Sequence, residues 1–298
     1  MSPTDTNPLD RLTVCPTADG SLTFFSAQFG EALHSTCGAK TEAELKFVVP
    51  TGIAQKGQRQ GQINILDVCF GLGYNSASAL DALSNCAPSC AVQVWGLENN
   101  WEVLRQAVAQ QMHRIWSDRT QRVLEKLTLC PTVQDQQWQL QLILTDARQG
   151  IHHVPDRSAD AIFFDPFSPK RCPQLWTIDF LRLVSAKLKP DGYWVTYSCA
   201  AAVRCALLEL GLNLWAVEPL GRKSCGTIAS FANTSVPQRS RNLTNLEYAI
   251  LQTRAGIPYR DPQLQDSAAV IVARRKQEQQ HSDRQSSSSW LKANLEYA

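Results

Sequence analysis

The sequence predicts an α/β protein built on a mostly parallel, doubly wound sheet. Three observations point there. From residue 61 onward, short apolar runs alternate with helix-like stretches. Several of those runs end in Gly or Asp. The runs themselves are apolar throughout rather than alternating, as expected of strands covered on both faces.

Taken in order, INILDVCFG (63–71) is a buried strand that ends in glycines, and NSASALDALSN (75–85) is a helix with small residues on its packing face. VQVWGLENN (92–100) is a second strand, followed by the amphipathic helix WEVLRQAVAQQMHRIWS (101–117). LQLILTDARQG (140–150) and ADAIFFDPFSP (159–169) supply two more strands, and TIDFLRLVSAKLKPDG (177–192) supplies a helix. GYWVTYSCA (192–200) reads as a fifth strand and AAVRCALLELG (201–211) as the next helix. NLWAVEPL (213–220) and GTIASFA (226–232) form a terminal antiparallel pair.

Outside this core of residues 61–232, residues 1–60 read as a β-rich extension. Its pieces SLTFFSA and LKFVVP are broken by Gly and Pro, with no convincing helix before residue 75. Residues 233–276 read as an ordered C-terminal extension. Residues 277–298 are Ser/Gln-rich, which predicts a disordered tail.

The 298 residues are 44% hydrophobic and 19% charged, enough for a sizeable core. No apolar run approaches a membrane span, and MSPTDTNPLDRL lacks the layout of a signal peptide, so an intracellular, cytoplasmic protein is expected. The ten cysteines form no CxxC pair, which argues for free thiols and against a metal site. Residues 1–150 hold 11 Lys/Arg against 14 Asp/Glu, and residues 151–298 hold 18 against 13. That imbalance suits a phosphate-bearing partner or a merely solvated face.

Open α/β sheets bind ligands at the carboxyl ends of their strands. Four such ends carry suggestive residues. Asp67-Val-Cys-Phe-Gly71-Leu-Gly73-Tyr-Asn75 is a glycine turn able to approach a ligand. Glu98, some 25 residues after the glycines, stands where a carboxylate accepts both ribose hydroxyls. Asp146 and Ala147 stand where an adenine amino group would lie, and Asp165 ends IFFDPFSP. Each acid alone is equally a helix cap or a solvated strand end; four on successive strands favour a binding site. Cys69 replaces the first glycine of many nucleotide loops and no Walker lysine follows, so S-adenosylmethionine fits better than NAD or ATP.

At DPFSPKRCPQLW the sequence resembles the tRNA wobble-uridine methylaminomethyl-forming methyltransferases. These occur as one half of a bifunctional 5-methylaminomethyl-2-thiouridine biosynthesis protein and as stand-alone proteins. The likeness runs through DVCFGLGYNSASAL, LKPDGYWVTYSCA and Leu220-Gly221-Arg222-Lys223, and outward to FGEALHSTCGAKTEAELKFV and AGIPYRDPQL. It implies a Rossmann-like class I methyltransferase with a seven-stranded sheet whose last strand is antiparallel. It makes Gly71, Gly73, Glu98 and Asp146 contacts of S-adenosylmethionine and Asp165 the acid at the reaction centre. No second GxGxxG unit follows, so methylation alone is expected, without the flavin-dependent step.

The expected reaction moves a methyl from the sulfonium to the amine of 5-aminomethyl(-2-thio)uridine in the tRNA anticodon loop. Asp165 would orient the amine and take its proton, and Phe167 is either a uracil-stacking ring or a core aromatic. Ser168, beside it, joins the substrate contacts. Arg222, Lys223 and Arg260 are candidate phosphate contacts, together with Arg254, Arg274, Arg275 and Lys276; Arg260 is as readily a structural ion-pair partner. His34 reads as a satisfied structural histidine or a group closing over the site. A monomer without metal and without membrane contact is compatible with all of this. Three rival readings remain: a methyltransferase acting on another amine, an aminopropyltransferase, and a non-catalytic RNA-binding protein on the same fold.

Overall fold

In the computed structural model, residues 11–221, 224–232 and 235–295 are described. The strands are β1 (Leu12–Pro16), β2 (Leu22–Ser26), β3 (Glu31–Ala32), β4 (Gln62–Val68), β5 (Ala91–Glu98), β6 (Thr132–Gln134), β7 (Trp138–Leu144), β8 (Ala159–Phe164), β9 (Leu188–Thr196), β10 (Asn213–Val217), β11 (Gly226–Ser230) and β12 (Ser240–Arg241). The last nine form one sheet in the order β12-β10-β11-β9-β8-β4-β5-β7-β6. Strands β7, β5, β4, β8 and β9 are mutually parallel, and β11 runs antiparallel to both β9 and β10. The seven expected strands and the reversed last strand are therefore present. Short antiparallel β6 and β12 extend the two edges.

Alternate side chains of the central strand β4 divide between two cores. Ile63 and Ile65 enter a cluster with Phe47, Leu80 and Val94; Leu66 and Val68 enter one with Phe164, Trp176 and Val203. All six residues of β8 are buried, which is why ADAIFF shows no polar face in sequence. Order reverses around β4, with β5 on one side and β8 on the other, so the tips of β4, β5 and β8 flank the crevice where such sheets bind ligands.

The N-terminal block differs from the β-rich expectation. β1, β2 and β3 do form a small antiparallel sheet, but residues 39–60 are helical in pieces: Ala39–Glu42, a wide π turn Ala43–Val48, Val49–Thr51 and Ile53–Gln60. LKFVVP is thus helix, not strand. Ala39, Ala43 and Phe47, four apart, are fully buried, a helical stripe that the short apolar run concealed. Pro50 has no N–H for the Lys46 carbonyl and its ring crowds that turn, which the wide turn relieves.

The tail also differs. Helix Ala268–His281 runs past residue 277, and Ser287–Leu295 is a second helix, so the segment is not structureless. Arg254 ties it down, its amide bonded to Gln285 O (2.9 Å) and its Nε to Arg284 O (2.8 Å), while Gln279 Nε2 donates to Arg254 O (2.8 Å). All ten cysteines are free thiols, and no helix among the described residues is long and apolar enough to cross a membrane.

One buried cation joins the core to the C-terminal extension. Arg204, 2% exposed, donates to Thr227 Oγ1 (3.0 Å), Gly226 O (3.1 Å) and Glu247 Oε1 (2.9 Å). Glu247 also closes the capping box with Thr244. Glu247→Ala strands a buried guanidinium and is expected to cost about 3 kcal/mol in urea unfolding, the low end for a partly solvated partner.

Candidate active site

The loop after β4 is built from three left-handed residues, Cys69 (φ 66°), Gly71 (φ 55°) and Gly73 (φ 78°). Cys69, which carries a Cβ, is held there because its amide and that of Phe70 both donate to Leu97 O at the end of β5 (3.0 and 3.1 Å). A Cβ on Gly73 or on Gly96 would come within 2.7 Å of the Phe70 ring, so both glycines form the slot that seats it. A Cβ on Gly71 would meet nothing nearer than 3.8 Å, leaving the backbone open to a ligand.

Glu98 ends β5 and is 9% exposed. Gly71 N donates to its Oε2 and Asn100 N to its Oε1, each at 2.8 Å. Burial nevertheless pushes its carboxyl above the usual range. Each oxygen retains a lone pair for a further donor, which is what a ribose diol offers. Asp67 lies beneath the loop, fully buried, accepting from Ser76 Oγ (2.6 Å) with Oδ1 unpartnered. Burial raises its carboxyl well above the ordinary value, and Asp165 and Glu98 add to the rise.

Asp146 caps the short helix Ala147–Gly150, accepting from Arg148 N (2.8 Å) and from the Arg148 guanidinium (2.8 Å). Although burial acts the other way, these bonds hold its carboxyl below the usual range. Arg148 in turn reaches Asp261 (3.1 Å), which is fully buried and also accepts from the amides of Gln265 and Asp266. Ala147 is buried beside the cap.

Asp165 follows β8, its amide donating to Val68 O (3.1 Å) and its Oδ2 accepting from Asn75 Nδ2 (2.9 Å). Half-buried, its carboxyl is pushed up to about 7, first by desolvation and then by the negative charge of Glu42; Asn75 and Lys46 act the other way. Asn75 Oδ1 is buried without a partner, a polar atom left for a ligand donor. Glu42 and Lys46 form a buried ion pair at 3.0 Å on the N-terminal helix, with Ser35 N also donating to Glu42 (2.6 Å).

These groups share one neighbourhood. The Cys69 thiol is raised by burial and by the charges of Glu98, Asp165 and Asp67 around it, and it also feels Cys172, which in turn feels Asp146. Beyond Asp165 the loop is pinned three times: Tyr197 Oη donates to Pro166 O (2.9 Å), Trp176 Nε1 to Phe167 O (2.8 Å), and Ser168 donates through N (3.1 Å) and Oγ (2.5 Å) to Glu31. Phe167 is neither a core ring nor a free one; it stacks on Phe29 at 4.1 Å.

Most of the candidate basic residues are engaged within the chain, Arg260 in the structural ion pair that was its alternative. Arg260 pairs with Glu278 (3.3 Å), Arg274 with Asp266 (2.7 Å), Arg254 with tail carbonyls, and Arg275 with the carbonyls of Ile257 and Ala255. Lys276 alone of that group is exposed with no ion pair among the described residues. Arg222 and Lys223 lie outside the described residues. His34 is structural: buried, 3.0 Å from Thr23 Oγ1, stacked near Tyr74, and lowered to about 4 by burial. Sequence reasoning missed Glu31, Glu42, Lys46, Tyr197 and the Arg148–Asp261 brace, although all but Arg148 and Tyr197 sit in or beside the outer blocks FGEALHSTCGAKTEAELKFV and AGIPYRDPQL.

A profile of the S-adenosyl-L-methionine-dependent methyltransferase family matches residues 110–232. The crystal structure of MnmC2 from Aquifex aeolicus superposes with a TM-score of 0.79 at 33% identity, covering 90% of this chain and 85% of that one. An uncharacterized protein of Methanocaldococcus jannaschii is 30% identical over 249 residues, 83% of this chain and 67% of its own length. The tRNA 5-methylaminomethyl-2-thiouridine biosynthesis bifunctional protein MnmC of Burkholderia multivorans is 27% identical over 228 residues; the match takes in 72% of this chain but only 34% of that protein, about a third of its length. With the likeness to MnmC2 extending over nine tenths of its length, the chain belongs to the MnmC2-type family of S-adenosylmethionine-dependent methyltransferases.

Proposed function

We propose that the chain methylates the amine of 5-aminomethyl(-2-thio)uridine at the tRNA wobble position. The observation that carries this reading is Asp165, a half-buried carboxyl at the strand tip with proton affinity near neutrality. Bound S-adenosylmethionine would supply an electrophilic methyl on a sulfonium leaving group. Glu98 would take the ribose hydroxyls, with Asp146 and Ala147 at the adenine and the opened backbone at Gly71 against the methionine arm. Asp67 and Gly73 act from beneath, shaping the loop, and Asn75 holds Asp165.

An aminomethyl group is protonated at neutral pH and cannot attack in that form. The Asp165 carboxylate accepts the ammonium proton, which leaves a lone pair on nitrogen. The N–C bond then forms as the S–C bond breaks, with the electron pair passing to sulfur. Positioning of amine and methyl contributes on the order of 7–11 kcal/mol of barrier reduction, and the proton acceptor about 10²–10⁴-fold in rate. The wobble nucleoside is favoured over other amines because the relatives of this chain include proteins named for 5-methylaminomethyl-2-thiouridine biosynthesis in tRNA.

The direct test is mass spectrometry of tRNA nucleosides from cells lacking the protein. Accumulated aminomethyluridine is expected; an unchanged nucleoside profile would remove this substrate.

Glu98→Ala is expected to weaken S-adenosylmethionine binding by at least about 10- to 150-fold in calorimetry, the value for one charge-assisted hydrogen bond, since both ribose hydroxyls lose their acceptor. Unchanged affinity would place the ribose elsewhere. For the wild type, kcat/KM should rise with pH through about 7 and then level, because the ionised carboxylate of the free enzyme is the acceptor. Asp165→Asn should lose about 10²–10⁴-fold in kcat and this pH dependence, with cofactor affinity retained.

A second consequence needs no substrate. Unfolded, the Asp165 carboxyl ionises near the usual ~3.9, and folded at about 7. Between those values only the unfolded chain sheds the proton, so wild-type stability falls as pH rises while the Asn variant is spared. The Tm of Asp165→Asn minus that of the wild type should widen from about pH 4 to about 7 and be flat above; a constant difference would show an ordinary aspartate.

A further inference from the structure

We propose that Phe29, on the N-terminal turn, is a base-stacking residue: the target nucleobase enters between Phe29 and Phe167, whose rings occupy each other's faces in the free protein. The inference rests on the reading of the substrate as a wobble uridine.

The pair is the closest and most nearly parallel of the ring contacts among the described residues. The rings lie 4.1 Å apart and only 14° from parallel. Phe47–Phe163, Tyr74–Trp116 and Phe164–Trp176 instead meet edge to face at 84°, 78° and 79°. Other buried pairs are stacked or tilted at centroid separations of 4.9 to 6.2 Å, so none lies as close and as flat as Phe29 on Phe167. Phe29 and Phe167 present two flat faces at close to a base-stacking distance, and both are half-buried, whereas neighbouring Phe24, Phe163 and Phe164 are fully enclosed. A hydrophobic pair left partly in water beside a reactive carboxyl suits a planar ligand better than it suits the core.

The two rings are mounted differently. Phe167 is fixed through its backbone, with the carbonyls of Pro166 and Phe167 bonded to Tyr197 and Trp176. Phe29 stands on the tight turn between β2 and β3, closed by Gly30 N to Ser26 O (2.8 Å) and Phe29 N to Ser26 Oγ (3.1 Å), with Ala27, Gln28 and Gly30 exposed around it. One wall of the slot is rigid, and the other yields by side-chain rotation. Glu31 keeps the walls opposed, since it accepts from Ser168 and faces Arg171 at 4.0 Å. Asp165 lies two residues before Phe167, so the slot and the proposed proton acceptor belong to one pinned loop.

The test uses the full chain, S-adenosylmethionine and an anticodon stem-loop RNA carrying 5-aminomethyluridine at the wobble position. Phe29→Leu keeps apolar bulk but removes the π face. It should raise KM for the RNA by about 5- to 150-fold, the effect falling on KM rather than kcat, with S-adenosylmethionine affinity and Tm retained. Phe29→Tyr, which restores a six-membered ring, should recover the wild-type KM. An unaltered KM in Phe29→Leu, or a folded Phe29→Tyr that fails to recover it, overturns the slot while leaving the substrate reading intact. A wild-type protein inactive on this RNA overturns both.

Discussion

The site depends on how the loop after β4 is fastened to the end of β5. Leu97 O takes two amides, from Cys69 and Phe70, and Glu98 takes a third, from Gly71. Those three bonds hold a backbone that enters the left-handed region at every second residue, including Cys69, where the conformation costs a residue with a Cβ about 1–3 kcal/mol. Phe70, seated against Gly73 and Gly96, fixes the loop from below. Once the loop is set, Tyr74 starts its helix at a fixed point, Asn75 projects toward β8, and Asp165 has its hydrogen-bond donor. The carboxylate proposed for the cofactor and the one proposed for the amine are therefore positioned by the same few backbone atoms.

Electrostatics then separates acids that look alike in sequence. Asp67, Glu98 and Asp165 are all raised, because burial disfavours charge and none has a cation against it. Asp146 is the exception; Arg148 keeps it ionised. Asp165 stands apart in another way, for its desolvation is reinforced by Glu42 and opposed by only one amide and by Lys46. An ion pair on the N-terminal helix thus helps decide which strand-tip acid titrates near neutrality.

What the sequence revealed follows the range of the interactions concerned. The sheet was legible because β4, β5, β7, β8 and β9 are apolar runs cut by Gly, Asp and Pro, a purely local signal. The strand-tip acids were legible for the same reason. The helical segment 39–60 was not, since Pro50 and Gly52 break it into short pieces and a π turn spoils the period. The brace behind Asp146 was invisible because Arg148 and Asp261 are 113 residues apart. How the basic stretch is used was out of reach for a related reason: a count of Lys and Arg cannot tell a guanidinium facing solvent from one that, like Arg275, is bonded to the carbonyls of its own chain.

The appended segments are best understood as the outer walls of the site. FGEALHSTCGAKTEAELKFV carries Phe29, Glu31, Glu42 and Lys46, and each of them acts on the loop of Asp165, Phe167 and Ser168. AGIPYRDPQL carries Asp261, which acts through Arg148 on Asp146 at the opposite end. A bare sheet with its glycine loop could hold a sulfonium nucleoside, and many do. Setting one carboxyl near neutrality and mounting a second aromatic ring beside it takes residues from outside the sheet. The likeness to MnmC2 and to MnmC likewise runs beyond the core, over 90% and 72% of this chain, so the segments that act on the Asp165 loop and brace Asp146 fall largely within what these proteins have in common.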